Sequence, residues 1–585
     1  MKSSNSFFIV VALAAGLACC PPVEAGVTPP PNILLVLTDD QGFGDIGLHG
    51  NPWLRTPVMD RLAGEGTQLN HFYVSALCAP TRASLLTGRY APRSGVRGVA
   101  RGQEIMRTEE VTLAEMLHAA GYATGIFGKW HNGENHPYTP NAQGFDEFFG
   151  FCAGGVYQYF DAEYQHNLGL VRERGYISDV LTNRAIDFIR ANRERPFFCY
   201  VAFNAPHSPW QVPDRYFDRY RKLGLDDSVA AVYGMIESID DNLGRLLGVL
   251  DETGLERDTI VIFLGDNGPI GAGDGSLGPG RYDAGLKGIK AGPDEGSMRV
   301  PCFIRWNGHI PKGRVLEDLA AHIDILPTLG KLCGVPLPAV PLDGQDLSAR
   351  LLGESAKPHG DRTLFERNTV RTERWRLTLG QAGPELYDIL SDPGQHRNVA
   401  AREPELAASL EQSYREWAHE TGLDQPLRVP PVIPVGYPEA PSANLPTPYA
   451  EKFQARMNTP YSQGYFERWE SLDGHLDWPI DVQRAGKYRV RVWYVCPPAA
   501  LGTRLRAEFP GASVELDIAQ AQDPTPLPVQ DRVPQTQGNI KAWIPASMGE
   551  VRLQTGEQNV RLCPVRLVGP QPGVEIKRLE LIYLP

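Results

Sequence analysis

The 585-residue chain predicts an α/β fold: a mostly parallel central sheet flanked by helices, then a small α+β C-terminal subdomain and an appended all-β sandwich. Three observations predict it. Runs such as 32–37, 197–203 and 259–264 are apolar at nearly every position, the pattern of strands covered on both faces. Helical patterns separate these runs, as parallel crossovers require. Near residue 471 the pattern turns to alternation, clearest over 487–495 and 574–584. The chain is too long for a single core. Expected boundaries are 26–345 for the α/β unit, 346–425 for the α+β subdomain, 426–470 for a proline-rich linker or wrapping segment, and 471–585 for the sandwich.

The elements follow in order. The run 32–37 is the first strand. Thr56-Pro57 has the form of an N-cap and first helical residue, with Val58, Met59, Leu62 and Ala63 on one face. A helix over 111–120 stops at Gly121, and strands are expected over 123–128, 197–203, 259–264 and 300–306. In the α+β unit, 374–379 and 385–389 are short strands and 404–422 a helix. Proline density from about 425 to 470 erases any periodic pattern.

Composition narrows the class. Hydrophobic residues make up 42% and charged residues 22%, an ordinary globular balance. The net charge is −12 with no long basic run, so nucleic acid is not an expected partner. Residues 1–25 have the form of a secretory signal peptide: Lys2, an apolar run over 7–18, then Val23-Glu24-Ala25. A secreted or periplasmic location is expected; a lipoprotein anchor at Cys19 or Cys20 fits the flanking residues less well. No later apolar segment reaches about 18 residues, so no stable membrane span is expected. Cys152, Cys199, Cys302 and Cys333 have apolar neighbours and read as buried thiols. Cys496 and Cys563 form a candidate disulfide.

A parallel sheet places ligands beyond the carboxyl ends of its strands. Four expected strand ends carry useful polar groups: Asp39-Asp40, Lys129 with His131, His207, and Asp266-Asn267. Asp39, Asp40, Asp266 and Asn267 offer oxygen alone, which suits a hard divalent cation such as calcium or magnesium and argues against zinc. Cys78-Ala79-Pro80-Thr81-Arg82 places a nucleophile at a helix N-terminus, with a guanidinium one turn on. Taken alone, that arrangement also suits a cysteine phosphatase or a capped core helix.

The stretch from Cys78 to Thr87-Gly88-Arg89 resembles the signature of formylglycine-dependent type I sulfatases, the arylsulfatase family of the alkaline phosphatase superfamily. The resemblance covers roughly 31–400. Residues 32–42 resemble the opening Asp-Asp block. Gly128-Lys129-Trp130-His131 matches the Gly-Lys-Trp-His block. Gly265-Asp266-Asn267-Gly268 matches the Asp-Asn-Gly block, with glycine for the usual hydroxyl residue. Residues 290–301 resemble the Lys–Glu–Arg-Val-Pro block, with Ser297 replacing a glycine, and Glu385-Leu386-Tyr387-Asp388 resembles the C-terminal signature.

The resemblance implies an alkaline phosphatase-like sheet and sulfate-ester hydrolysis. It implies Ca2+ held by Asp39, Asp40, Asp266, Asn267 and the side chain of position 78. It further implies that a formylglycine-generating enzyme converts Cys78 to formylglycine, whose hydrate attacks sulfur. Arg82, Lys129, His207 and Lys290 would bind the substrate, with His207 or Lys290 protonating the leaving group and His131 acting as base. Lys290 is preferred over Lys287 because it keeps the family spacing to Glu295, Arg299 and Pro301. Trp130, Tyr157, Tyr159, Trp210 and Arg281 are candidates for the leaving-group side. The expected substrate is a sulfated carbohydrate. Two other readings stay open: a phosphonate or phosphate monoester hydrolase of the same superfamily, and an inactive protein that binds sulfated glycans.

Overall fold

The computed structural model describes residues 30–271, 280–354, 362–459, 461, 464–534 and 540–585. The leader expected over 1–25, including Cys19 and Cys20, lies outside the described residues.

The main sheet has ten strands: β1 (Asn32–Thr38), β2 (Thr67–Tyr73), β3 (Ala123–Lys129), β4 (Glu147–Phe151), β5 (Glu163–His166), β6 (Gly169–Arg172), β7 (Phe197–Ala202), β8 (Thr259–Gly265), β9 (Cys302–Arg305) and β10 (Arg314–Ala321). Their order is β10-β2-β9-β8-β1-β7-β3-β4-β5-β6. The central neighbours β8, β1, β7, β3 and β4 are parallel, while β9 and β5 run against the strands beside them. Every residue of β1 is buried. Leu34 and Val36 enter one apolar core, and Ile33, Leu35 and Leu37 enter another on the opposite face. That two-sided burial is why the sequence shows a continuous apolar run rather than alternation.

Helices α1 (Pro57–Glu65), α2 (Cys78–Thr87), α3 (Leu113–Ala119), α4 (Ile177–Ala191), α5 (Asp214–Arg221) and α6 (Asp227–Glu252) cover the sheet. Helices α1, α4, α5 and α6 pack on the first core, and α2 and α3 on the second. Thr56 precedes α1, but its side chain does not cap the helix. It donates to Asp60 Oδ1 at 2.9 Å, while Asp240 from α6 accepts from the Val58 and Met59 amides. Helix α3 starts at Leu113, later than expected, because Thr112 and Glu115 form a capping box.

Strands β11 (Thr363–Glu366), β12 (Thr369–Thr372), β13 (Trp375–Gly380) and β14 (Gly383–Asp388) form an antiparallel sheet. The helix Pro404–Glu420 packs on it. Beyond it, the stretch expected as a linker or wrapping segment adds strands to the sandwich sheets. It supplies β15 (Ile433–Val435), β16 (Ser442–Pro446), β17 (Glu451–Phe453), β18 (Ala455–Met457) and β19 (Phe466–Trp469). These join β20 (His475–Val482), β21 (Gly486–Val495), β22 (Arg504–Phe509), β23 (Ala512–Asp517), β24 (Ile544–Leu553), β25 (Gly556–Arg566) and β26 (Glu575–Leu584) in two sheets. Pairing is antiparallel except between β15 and β20. Trp478, Tyr488 and Leu579 lie in the core between the sheets.

Cys496 and Cys563 do not pair. Both are free thiols: Cys563 lies on β25 of one sheet, and Cys496 follows β21 of the other. Cys152, Cys199, Cys302 and Cys333 are buried thiols as expected. Among the described residues no helix is long and apolar enough to cross a membrane.

Candidate active site

Four neighbouring strands, β8, β1, β7 and β3, end at one place. Asp39-Asp40 follow β1, Asp266-Asn267 follow β8, and His207 lies five residues beyond β7. Lys129 closes β3 and His131 comes two residues later. The structure therefore gathers the expected strand-end residues. Helix α2 completes the cluster by presenting Cys78 as its first residue. Leu77 precedes it in extended conformation and gives no side-chain cap, and all ten residues of α2 are buried. Oxygens of Asp39 and Asp266 and the Cys78 sulfur lie within 4.8 Å of one another. The sulfur marks where an oxidised side chain would place its oxygen.

Charges alternate through the cluster. Lys129 Nζ lies 2.6 Å from Asp39 Oδ2, and Lys290 Nζ lies 2.6 Å from Asp40 Oδ1. Arg82 gives Nε and Nη2 to Asp266 Oδ2 at 3.1 and 2.8 Å and Nη1 to the Lys129 carbonyl at 2.8 Å. Its fork thus grips Asp266 beside the Cys78 side chain. Lys287 pairs with Asp294 at 3.0 Å, away from the Asp40 carboxylate that Lys290 meets. His207 Nε2 is 3.7 Å from Asp40 Oδ2, with Nδ1 on the Ser208 carbonyl at 2.6 Å. His131 Nε2 is 3.0 Å from the Val99 carbonyl, which makes Nε2 the donor and leaves Nδ1 as the acceptor.

Asp39 Oδ1, Asp40 Oδ2 and Asn267 Oδ1 are buried without a hydrogen-bond partner. Unpaired buried oxygens are costly, and three at one sheet end form a donor set of the kind a hard cation satisfies. Asn267 is oriented by its amide, which donates to Asp40 Oδ1 at 2.7 Å and to the Gly268 carbonyl at 2.8 Å. Gly268 must stay small, because a Cβ there would meet the Gly296 carbonyl oxygen at 2.1 Å. Asp40 and His131 have φ of 71° and 66°. Two non-glycine residues held in the left-handed region within one site mark strain that the surrounding contacts enforce.

The field sets the protonation states. Burial works to raise the Asp39 carboxyl, but Lys129, His207, Arg82 and Lys290 hold it far below the usual range. Burial and the charge of Asp39 push Asp266 up. Burial would discharge Lys290, yet Asp40 and its neighbours keep it charged. Burial, then Lys129, holds His131 well below its ordinary value, so the imidazole is neutral. Burial lowers His207 too, against the pull of Asp40. Burial raises the Cys78 thiol in spite of Lys129 and Lys290.

The proposed leaving-group residues fare differently. Trp130 and Tyr159 are about 1% exposed, and Arg281 is buried against Asp45 at 2.6 Å. Trp130 donates to the Tyr138 carbonyl at 2.8 Å and Tyr159 to the His207 carbonyl at 2.7 Å, so all three are internal supports. Tyr157 and Trp210 are half-buried. Sequence reasoning missed Gly154-Gly155. A Cβ at Gly154 would strike His131 Nε2 at 2.4 Å, and one at Gly155 would lie 4.0 Å from His207 Cε1. The adjacent glycines were the available signal.

Comparison with known proteins gives a consistent result. The sulfatase family model matches residues 31–335. Human arylsulfatase A is 33% identical over 449 residues, covering 65% of this chain and 86% of its own. Mouse N-acetylgalactosamine-6-sulfatase is 34% identical over 392 residues, covering 61% and 72%. Among solved structures, Ps i-CgsB in complex with k-i-k-neocarrahexaose superposes with a TM-score of 0.60 at 28% identity, covering 66% of this chain and 93% of that one.

Proposed function

Because the chain belongs to the sulfatase family of sulfuric ester hydrolases, we propose that it hydrolyses a sulfate monoester of a carbohydrate, with formylglycine made from Cys78 as nucleophile. The observation that carries this reading is the meeting of the Cys78 side chain with the Asp39 and Asp266 carboxylates, beside three unpartnered buried oxygens. A thiol raised by burial is a poor nucleophile, which argues against a cysteine phosphatase and fits a residue that must be oxidised before it acts.

Asp39, Asp40, Asp266, Asn267 and the side chain of position 78 would hold one Ca2+. When bound, it supplies Lewis-acid charge that lowers the pKa of a hydroxyl at position 78. Asp39, Asp40 and Asp266 balance Arg82, Lys129 and Lys290 charge for charge, so a dication leaves the site positive toward an anionic ester.

The chain's own groups then account for the chemistry. Lys129 and Lys290 bind sulfuryl oxygens, and Arg82 fixes Asp266 and the end of β3. One hydroxyl of the formylglycine hydrate gives its proton to the Asp266 carboxylate and attacks sulfur; an S–O bond forms and the bond between sulfur and the sugar oxygen breaks. His207 or Lys290 gives that oxygen a proton. His131, neutral, takes the proton of the second hydroxyl. The C–O bond to sulfate then breaks as the aldehyde re-forms, and water rehydrates it. Sulfate leaves without water attacking sulfur.

The carbohydrate substrate is supported by the likeness to an N-acetylgalactosamine-6-sulfatase and to a structure solved with k-i-k-neocarrahexaose. Export through the 1–25 leader would deliver the enzyme to such polymers, and a formylglycine-generating enzyme is the required maturation partner. Release of inorganic sulfate from defined sulfated oligosaccharides, beside aryl sulfate and aryl phosphate, tests the reading. We expect sulfate release from at least one saccharide and aryl sulfate turned over faster than aryl phosphate. Preference for the phosphate overturns it.

A further inference from the structure

Both site histidines are held by segments without regular structure, and the sandwich grips both segments. His131 hydrogen-bonds the carbonyl of Val99, in the irregular stretch 95–105. That stretch lies on the sandwich. The hydroxyl of Tyr449 donates to Glu104, which is 2% exposed. Ile105 packs against the sandwich core, and a Cβ on Gly102 would meet Pro431 at 2.4 Å. Asn132, the neighbour of His131, donates to the carbonyls of Ala79 at 3.1 Å and Glu104 at 3.4 Å. Asn135 and Asn444 exchange hydrogen bonds of 2.8 and 2.9 Å across the same seam.

The second segment shows the same arrangement. Tyr159 fixes the His207 carbonyl, and its amide donates to Gln211 Oε1 at 2.8 Å. Gln211 Nε2 then donates to Asp531 of the sandwich at 2.7 Å. The Arg532 amide donates to the Trp210 carbonyl at 3.0 Å, and its Nε to the Val212 carbonyl at 3.1 Å. The Arg532 guanidinium stacks over Phe217 at 4.7 Å.

We propose that the sandwich is a positioning element for both histidines, acting through Tyr449 on the stretch that holds His131 and through Asp531 and Arg532 on the segment after His207. The inference rests on the roles given to the histidines above. Irregular segments carry function only when a scaffold fixes them, and a displacement of about 1 Å at a reacting group costs up to ~100-fold in rate. The sandwich supplies hydrogen-bond partners to both site segments: the buried Tyr449 to the first, the half-buried Asp531 and Arg532 to the second.

The test uses the full-length matured enzyme on an aryl sulfate. Tyr449→Phe and Asp531→Ala should each lower kcat by roughly 5- to 20-fold while KM changes by less than about 2-fold. Glu104→Gln keeps an acceptor for the Tyr449 hydroxyl and should hold kcat within about 2-fold, whereas Glu104→Ala should not. Hydrogen exchange, which needs no turnover, should rise in peptides covering 95–105 for Tyr449→Phe and 207–214 for Asp531→Ala. Arg506→Ala, on the far strand β22 where Arg506 pairs with Glu515, should change neither readout. Wild-type sulfate release tests the reaction itself; exchange and the variant-to-wild-type ratio test the positioning. Wild-type kcat together with unchanged exchange in Tyr449→Phe and Asp531→Ala overturns the proposal, whatever their melting temperatures.

Discussion

Position 78 needs two hydroxyls in the proposed cycle, one to attack and one to release. Cys78→Ser keeps the first and lacks the second. It should accept sulfate once and stall, appearing as a covalent sulfate ester in the intact mass, with steady turnover lower by at least about 1,000-fold. Continuous turnover by that variant contradicts the cycle. The two lysines separate in the same way: Lys290→Ala should lose roughly 100-fold or more and Lys287→Ala less than about 3-fold, because only Lys290 meets the site carboxylates. His131 gives the pH dependence. A base must be neutral, and burial with Lys129 lowers its pKa well below the ordinary imidazole value of 6.5. The kcat should therefore persist as pH falls past that value and drop only through the lowered one; an acid limb at or above 6.5 would remove His131 as the base. At this scale the sequence was legible where a polar residue ended an apolar strand. It was not legible for Arg82, whose partner Asp266 is 184 positions away. Nor could it separate Trp130, Tyr159 and Arg281 from exposed residues, since a buried side chain whose polar end finds an internal partner reads the same in one dimension.

The elements explain how a site built from distant residues stays rigid. Strand β1 and its neighbours were readable because burial on both faces leaves an unbroken apolar run. Strands β5 and β6, and the partly polar β2 and β10, gave no such run, because they lie at or next to the two sheet edges and keep polar residues at partly exposed positions. The proline-rich stretch misled for a related reason. Proline is tolerated on edge strands, and β15, Ile433–Val435 with Pro434 at its centre, lies at a sheet edge. One contact between units is not visible in sequence at all. Glu295, which opens the short helix Glu295–Met298 just after Lys290, is buried against Arg376 at 3.0 Å, Arg371 at 3.4 Å and the Tyr73 hydroxyl. Burial opposes its charge, but the arginines bring its pKa down to about 2. Glu295→Gln leaves two buried guanidinium groups short of a counter-charge and should cost about 3–5 kcal/mol. A chemical-denaturation midpoint equal to wild type would show that this ion cluster does not join the α+β sheet to the site.

Across the whole molecule, buried neutral histidines and the carboxylate cluster link stability to solution conditions. Burial lowers His49 and His322 from 6.5 to about 4. Unfolding exposes them to their ordinary value, so the unfolded chain binds more protons between those limits and stability falls as pH drops from 6.5 toward 4. Two such groups contribute on the order of several kcal/mol at the acid end. The melting temperature should decline over that window, and a flat profile would count against their burial as neutral rings. Chelation of divalent metal should abolish sulfate release, and added calcium should restore it and raise the melting temperature in proportion to the logarithm of its concentration. Unchanged turnover in metal-free buffer would contradict the cation site.

The claim on which the rest depends is that the working nucleophile is an oxidised residue at position 78. The tryptic peptide 62–82 from an active preparation tests it most directly by mass. The account predicts a peptide lighter by about 18 Da than the encoded one, the change from thiol to aldehyde. An active enzyme in which every copy of that peptide keeps its thiol would contradict it.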